Sequence, residues 1–287
     1  MKAIDAHAHL RKNAKGFDKI AESGAFEEIW LMDLSGVRLN GVEFASQREI
    51  LQVSKDFKGR VRAFGYLDLD GAADQPDRLA DAGFAGLKPY KPRFPYSDER
   101  YFPIYERAQA LKMPVLFHTG LVAKGPAWDG KGGGRSFGPV NMQPQYLAAV
   151  AEAFPDLKIM QGHLGWPHLE QTEQNLYYYK NITCDVSGFR RLIGDMPAFF
   201  DKKCNDGSAR PRFFNHKTMF ATDQFYGEEA DNRAALKILE FWKLYFELVG
   251  SVYWRWGQPE EAEKFFRSNA AEIREYCLSL IHISEPT

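Results

Sequence analysis

"IDAHAHL", residues 4–10, puts two imidazoles two residues apart on a short apolar segment, with an aspartate two before the first. Strand side chains alternate faces with period two. The spacing predicts a strand over "KAIDAHA" (2–8) running on to His9, with Asp5, His7 and His9 on one face and Ala6 and Ala8 on the other. Small residues on the second face let helices pack closely against it. A strand that presents two imidazoles together is a chelating element, and a metal site then needs ligands from elsewhere in the chain.

Seven further segments read as strands: "EEIWLMDL" (27–34), "RVRAFGYLDL" (60–69), "FAGLKPY" (84–90), "PVLFHTG" (114–120), "LKIMQGH" (157–163), "NITCDVS" (181–187) and "HKTMFATD" (216–223). Helical patterns lie between them, in "EFASQREILQVSKDF", "ERYFPIYERAQALK", "PQYLAAVAEAF", "PHLEQTEQNLYYY" and "EEADNRAALKILEFWKLYFELV". Strand–helix alternation implies parallel βαβ units. Eight such units in a chain of 287 residues fit one (β/α)8 TIM barrel over residues 1–277 better than the alternative, a doubly wound open sheet. No linker or repeat divides the chain.

A parallel barrel carries its active site at the C-terminal ends of its strands. His7 and His9 stand there on strand one, Lys88 on strand four, His118 on strand five, His163 on strand six and Asp223 on strand eight. Of the six histidines outside the tail, four fall on this rim. His7, His9, His118 and Asp223 make a ligand set suited to zinc, with manganese or iron(II) as alternatives. Three or four protein ligands with a position left for water is the catalytic pattern. A divalent ion there lowers the pKa of its water to about 7.

The motifs "DAHAHL", "VLFHTG", "FPDLKIMQGHLGWP", "NITCDVSG", "FATDQFYG" and "SNAAEI" (268–273), in this order, resemble the amidohydrolase superfamily, specifically its amidohydrolase-2 branch of metal-dependent hydrolases and decarboxylases. The resemblance implies a metal-hydrolase barrel with one divalent ion held by His7, His9 and Asp223, with His118 as a further ligand. It implies that His163 orients water or polarises substrate, and that Asp223 binds metal and moves a proton. Some branches of the superfamily carboxylate a strand-four lysine to bridge two metals, and Lys88 with His118 and His163 could complete such a site. The branch resembled here uses one ion, which leaves Lys88 to meet an acidic group of the substrate; a rim lysine with its head in water is the plainer alternative.

Other features are weaker. "DGKGGGRSFGP" (129–139) reads as a substrate loop, with Arg135 a candidate anchor for a carboxylate. It lacks the GK[ST] of a phosphate loop. Arg190 or Arg191 could hold the same carboxylate. Trp166 could wall the pocket or pack in the core. His168 starts a helix, His216 is expected on the face away from the site, and Cys184 reads as a small core residue. No GxSxG elbow points to a serine hydrolase.

Lys plus Arg (37) nearly balances Asp plus Glu (38), so neither nucleic acid nor a membrane surface is an expected partner. The expected partners are a small carboxylate-bearing substrate and, at most, a second copy of the chain in a homodimer. Cys184, Cys204 and Cys277 form no CxxC pair, consistent with a reducing cytoplasm, and no signal peptide or membrane span is apparent. The tail "LSLIHISEPT" (278–287) resembles a translated sequencing adapter and is set aside, His282 with it. Two functions fit. One is hydrolysis of a small acidic substrate, cyclic ones included, by metal-activated water. The other is non-oxidative decarboxylation of an aromatic or unsaturated acid at the same site.

Overall fold

The computed structural model describes residues 1–39, 41–120, 139–188, 217–252 and 259–278. Eight strands follow the expected order: β1 (Ala3–Leu10), β2 (Phe26–Met32), β3 (Val61–Leu67), β4 (Gly86–Pro89), β5 (Val115–Phe117), β6 (Ile159–Gln161), β7 (Ile182–Asp185) and β8 (Thr218–Met219). Each pairs in parallel with the next, and a further strand, β9 (Phe225–Tyr226), pairs in parallel with β1. β8 and β9 are two halves of one segment, so the sheet closes on itself. The seam is stitched between them as well: Ala6 N–H donates to Phe220 O (3.1 Å), Asp223 N–H to His7 O (2.8 Å) and His9 N–H to Gln224 O (2.9 Å). The architecture is the TIM barrel the alternation implies.

Among the described residues the α-helices are α1 (Phe17–Glu22), α2 (Gln47–Asp56), α3 (Gln75–Ala82), α4 (Phe102–Ala110), α5 (Tyr146–Ala153), α6 (Leu169–Tyr178), α7 (Glu229–Val252), α8 (Pro259–Glu263) and α9 (Asn269–Leu278). α2 begins with a capping box: Glu49 N–H donates to Ser46 Oγ, and Ser46 N–H donates to the Glu49 carboxylate, which satisfies two otherwise orphaned donors. Among the described residues no helix is long and apolar enough to cross a membrane. Residues 279–287 of the tail lie outside the described residues, as do Arg135, Arg190, Arg191, Cys204 and His216.

Two apolar layers are separated by the wall of strands. Ile4, Ala6, Trp30, Met32, Phe64, Leu116, Met160, Met219 and Ala221 fill the interior, one or two from most strands, and Ala270 and Ile273 of α9 join them from below. The larger layer lies between strands and helices, with Ala8, Leu10, Ile29, Leu31, Val115, Phe117, Cys184 and Phe220 among its members. Cys184 is a core residue, as expected. Gly86 has a packing reason: a Cβ there would sit 2.3 Å from the Phe64 ring, so its absence makes room for that ring in the interior.

The face assignment of β1 needs a correction. Asp5 does not share a face with His7 and His9, and Ala6 does not share one with Ala8. The β1–β2 register shifts between Asp5 and Ala8, and a shift of one residue exchanges faces. Ile4 and Ala6 point inward before the shift, and Ala8 and Leu10 point outward after it. Asp5 is left on the outer side. It is completely buried there, accepting from Thr222 N–H (2.9 Å), Thr222 Oγ1 (2.6 Å) and Tyr226 Oη (2.7 Å). Burial raises its pKa to about 7 against the pull of those donors. Asp5 fastens the seam behind the site.

Candidate metal centre and active site

Period-two alternation aims Lys88, His118 and Asp185 into the mouth from β4, the end of β5 and β7, where His7 and His9 already point, and Asp223 joins them from the break between β8 and β9. Four imidazoles form an arc, with successive ring centroids 5.3 Å apart for His9–His7, 4.9 Å for His7–His163 and 4.5 Å for His163–His118. Phe44 and Phe225 flank His9 at 5.6 and 5.7 Å, and Tyr90 stands edge-on to His118 at 5.3 Å.

His163 and Asp223 are not held in regular strand. His163 lies just past β6 with φ 59°, followed by Leu164 at φ 51°, and Asp223 breaks the β8–β9 segment with φ 55°. Left-handed backbone at non-glycine residues is uncommon and gathers at functional sites. The turn carrying His163 lies close to the end of β5: a Cβ on Gly120, whose φ is +78°, would sit 2.0 Å from Trp166 O. Thr119 Oγ1 also donates to Gly162 O (2.5 Å). Trp166 itself is half-buried and packs against the outer core.

Each ligand candidate is oriented from behind. His7 Nδ1 is 2.9 Å from Asp185 Oδ2, and His9 Nδ1 is 2.9 Å from Met32 O. A carbonyl only accepts, so His9 Nδ1 carries a proton, and in the neutral ring Nε2 is bare; an ionised Asp185 sets His7 the same way. These two Nε2 atoms face Asp223 Oδ1, at 3.8 Å from His7 and 3.1 Å from His9. With both rings neutral, three lone-pair atoms converge, which is the donor set of a divalent cation. His7, His9 and Asp223 bring their ligand atoms within 4.8 Å of one another. His7, His163 and Asp185 do so too, but hydrogen bonds already join His7 and His163 to Asp185, directly or through Ser187. His118 stands at His163 instead, with its Nδ1 3.1 Å from His163 Nε2.

Burial and charge set the protonation states. Burial, with help from the Lys88 charge, drives His7 down to about 3 against the pull of Asp185. Burial also lowers His163 and brings Lys88 down to about 8. For Asp223 burial acts upward, but the hydrogen bond that His9 Nε2 donates when its ring is protonated, and the charge of the surrounding imidazoles, hold the carboxyl far below the usual range. Lys88 is 1 % exposed, with Nζ 3.2 Å from His7 Nε2. It is therefore inside the site and not a rim lysine reaching to water.

Asp185 and Ser187 escaped the sequence reading. They are buried at the end of β7, where the same rim rule applied to the other strands would have found them. "NITCDVS" places Thr183, Asp185 and Ser187 on one face by simple alternation.

With fold and site described, the class follows. The sequence profile of the amidohydrolase family matches residues 4–273, and the chain belongs to that family of metal-dependent hydrolases and decarboxylases. No curated protein sequence matches the chain. Among solved structures it is similar to an uncharacterised TIM-barrel protein of Bordetella bronchiseptica (16% identity, 96% of this chain and 99% of that one, TM-score 0.64). It is similar too to a probable 2-pyrone-4,6-dicarboxylic acid hydrolase of Acinetobacter baumannii, solved with citric acid bound (14%, 95% and 99%, TM-score 0.60). A third is a 2,6-dihydroxybenzoate decarboxylase from Rhizobium (14%, 96% and 99%, TM-score 0.58).

Proposed function

We propose that the chain is a metal-dependent hydrolase of a small carboxylate-bearing substrate, cyclic ones included. The observation that carries this reading is the convergence of two bare imidazole nitrogens and one carboxylate oxygen at the barrel mouth. His7, His9 and Asp223 hold one divalent ion, and His118 is a further ligand on the strength of the resemblance. Zinc is the ion favoured by an imidazole-rich set, with manganese or iron(II) as alternatives. An ion so held acidifies water and polarises a carbonyl or carboxylate.

The residues do the rest. Lys88 donates now to His7 Nε2; once that lone pair is given to an ion, its N–H groups are left for the substrate's carboxylate. Arg135 or Arg190 binds the other acidic end, and Trp166 borders the pocket. His163 receives or delivers a proton at Nε2, and Asp223 moves one through its second carboxylate oxygen. A cytoplasmic location and a homodimer complete this reading.

The alternative is decarboxylation of an aromatic or unsaturated acid. It is favoured by the rings around the site: Phe44 and Phe225 beside His9, and Tyr90 beside His118. The deciding experiment loads the protein with zinc, manganese or iron(II), counts the bound ions, and offers it cyclic dicarboxylate esters and hydroxybenzoates. Acid release without CO2 supports the hydrolase, and CO2 release supports the decarboxylase. Full turnover by metal-free protein overturns both, and two stoichiometric ions with Lys88 carboxylated overturns the single-ion site.

A further inference from the structure

We infer that Asp185 and Ser187 are positioning residues that place the protons on His7 and His163, so that one carboxylate on strand seven fixes both the ligand and the acid–base histidine. This rests on the roles proposed above for His7 and His163.

The hydrogens around Asp185 can be counted. Asp185 Oδ1 accepts from three donors: the N–H of His163 at 3.0 Å, the N–H of Ser187 at 2.9 Å and the hydroxyl of Ser187 at 2.5 Å. Oδ2 faces His7 Nδ1 at 2.9 Å. Oδ1 thus has no place for a proton, and on Oδ2 a proton would face an imidazole, the stronger base, while three donors already favour the anion, so the carboxyl group is ionised. The hydrogen between Asp185 and His7 therefore sits on His7 Nδ1, and Nε2 is bare.

The same count continues outward. Ser187 has one hydroxyl hydrogen, and Asp185 Oδ1 takes it. Towards His163 Nδ1, at 2.8 Å, Ser187 Oγ can only accept. It stands in the same relation to His7 Nδ1, at 3.2 Å. His163 therefore carries its hydrogen on Nδ1 and leaves Nε2 bare. His118 Nδ1 lies 3.1 Å from that Nε2 and supplies the hydrogen between them. His118 Nε2 is then bare as well, the state a metal ligand needs. One buried carboxylate thus sets three imidazoles, and the backbone carbonyl of Met32 sets the fourth, His9. Groups behind a ligating histidine fix its tautomer in this way.

Asp185→Asn keeps the shape and reverses the wiring. The three donors around Oδ1 pull the amide oxygen to their side and turn the NH2 towards His7 Nδ1. His7 must then accept there and carry its hydrogen on Nε2, where it cannot ligate. Ser187→Ala takes one of three donors from Asp185 Oδ1 and the longer contact from His7 Nδ1 but keeps the Asp185–His7 hydrogen bond, and it removes the acceptor from His163 Nδ1–H.

The test is 15N NMR of the histidine rings in metal-free protein, paired with zinc titration of the same samples. The parent chain is expected to show His7 and His163 as Nδ1–H tautomers. Asp185→Asn is expected to convert His7 to Nε2–H and weaken zinc binding roughly 10–100-fold. Ser187→Ala is expected to change the His163 pattern only, keep zinc affinity, and lower kcat with KM held. A parent chain with His7 or His163 in the Nε2–H form overturns the inference, and so does Asp185→Asn protein that binds zinc as tightly as the parent. The tautomers are read without metal and need no substitution. A chain that takes up no zinc would therefore sink the functional reading and leave this inference standing on its own measurement.

Discussion

The two ends of the barrel bury charge in opposite ways. At the bottom, Glu28 is 3 % exposed and every strong neighbour is a donor. Its Oε2 accepts from Trp30 Nε1 (2.9 Å) and Arg62 Nε (2.8 Å), and its Oε1 accepts from Arg274 Nη1 of α9 (3.0 Å). Glu27 completes the network with Arg267 and Arg274. At the mouth, acceptors meet acceptors: His7 Nε2, His9 Nε2 and Asp223 Oδ1 point at one another. Matched charges hold an end shut, and matched lone pairs hold an end ready for a cation. In a TIM barrel this is the division between stability at the N-terminal face and chemistry at the C-terminal face.

Removing metal is the largest blow the mouth should suffer. Chelated protein should lose all turnover and recover it on adding back zinc or manganese, while the far-ultraviolet circular dichroism stays unchanged. Loss of the fold on chelation would mean that the mouth, too, serves stability.

His163→Asn separates roles within the mouth. Metal content should stay at the parent level while turnover falls about 10²–10⁴-fold, the share of a positioned acid–base group. Excess metal should not restore it. His7→Asn should instead lose metal affinity and recover partly at high metal. Equal metal loss in both variants would make His163 a ligand.

Glu28→Gln attacks the other end. It takes the carboxylate from Arg62 and leaves Arg274 with Glu27 and Glu275 alone, and about 3 kcal/mol of stability should go, the lower end for a broken buried pair because Arg274 keeps those partners and both arginines keep some contact with water. Denaturant unfolding measures this, and zinc affinity should not move. A change in zinc affinity would show that the two ends are coupled.

The smallest effect is expected on the outer rim, away from both charge clusters. Ser46→Ala removes the cap of α2 and should cost about 1 kcal/mol, with turnover untouched.

Much of this division was legible in the sequence, and its limits have physical reasons. Alternation within each strand, with the rim rule, finds Lys88, His118 and Asp223 directly. It would have found Asp185, had an aspartate in "TCDVS" been weighed as heavily as a histidine. The shift in β1 was not legible. Nothing in "IDAHAHL" marks an extra residue, because Ala6 suits the barrel interior as well as the outer layer. His163 was placed at a strand end, whereas it sits in a left-handed turn. Gly162 and Gly165 on either side hint at that turn, but glycine spacing alone does not give a backbone angle. α1, α3, α8 and α9 have no segment in that reading: the first three are short, and α9 declares itself only once the barrel bottom exists for Ala270 and Ile273 to fill.

The seam between the first and last strands has a consequence for how the protein matures. His9 and Asp223 are 214 residues apart in the chain, so no N-terminal fragment emerging from the ribosome holds the three-ligand set before the last strand is made. Closing so long a loop is entropically costly before its contacts form. An ion gripping both strands rewards only the closed form and, by mass action, draws the population towards it. Asp5 does the same from the outer side with hydrogen bonds to Thr222 and Tyr226. Metal capture at the proposed ligand set should therefore come at the end of folding, and a pulse of zinc during refolding would time the moment the ring joins.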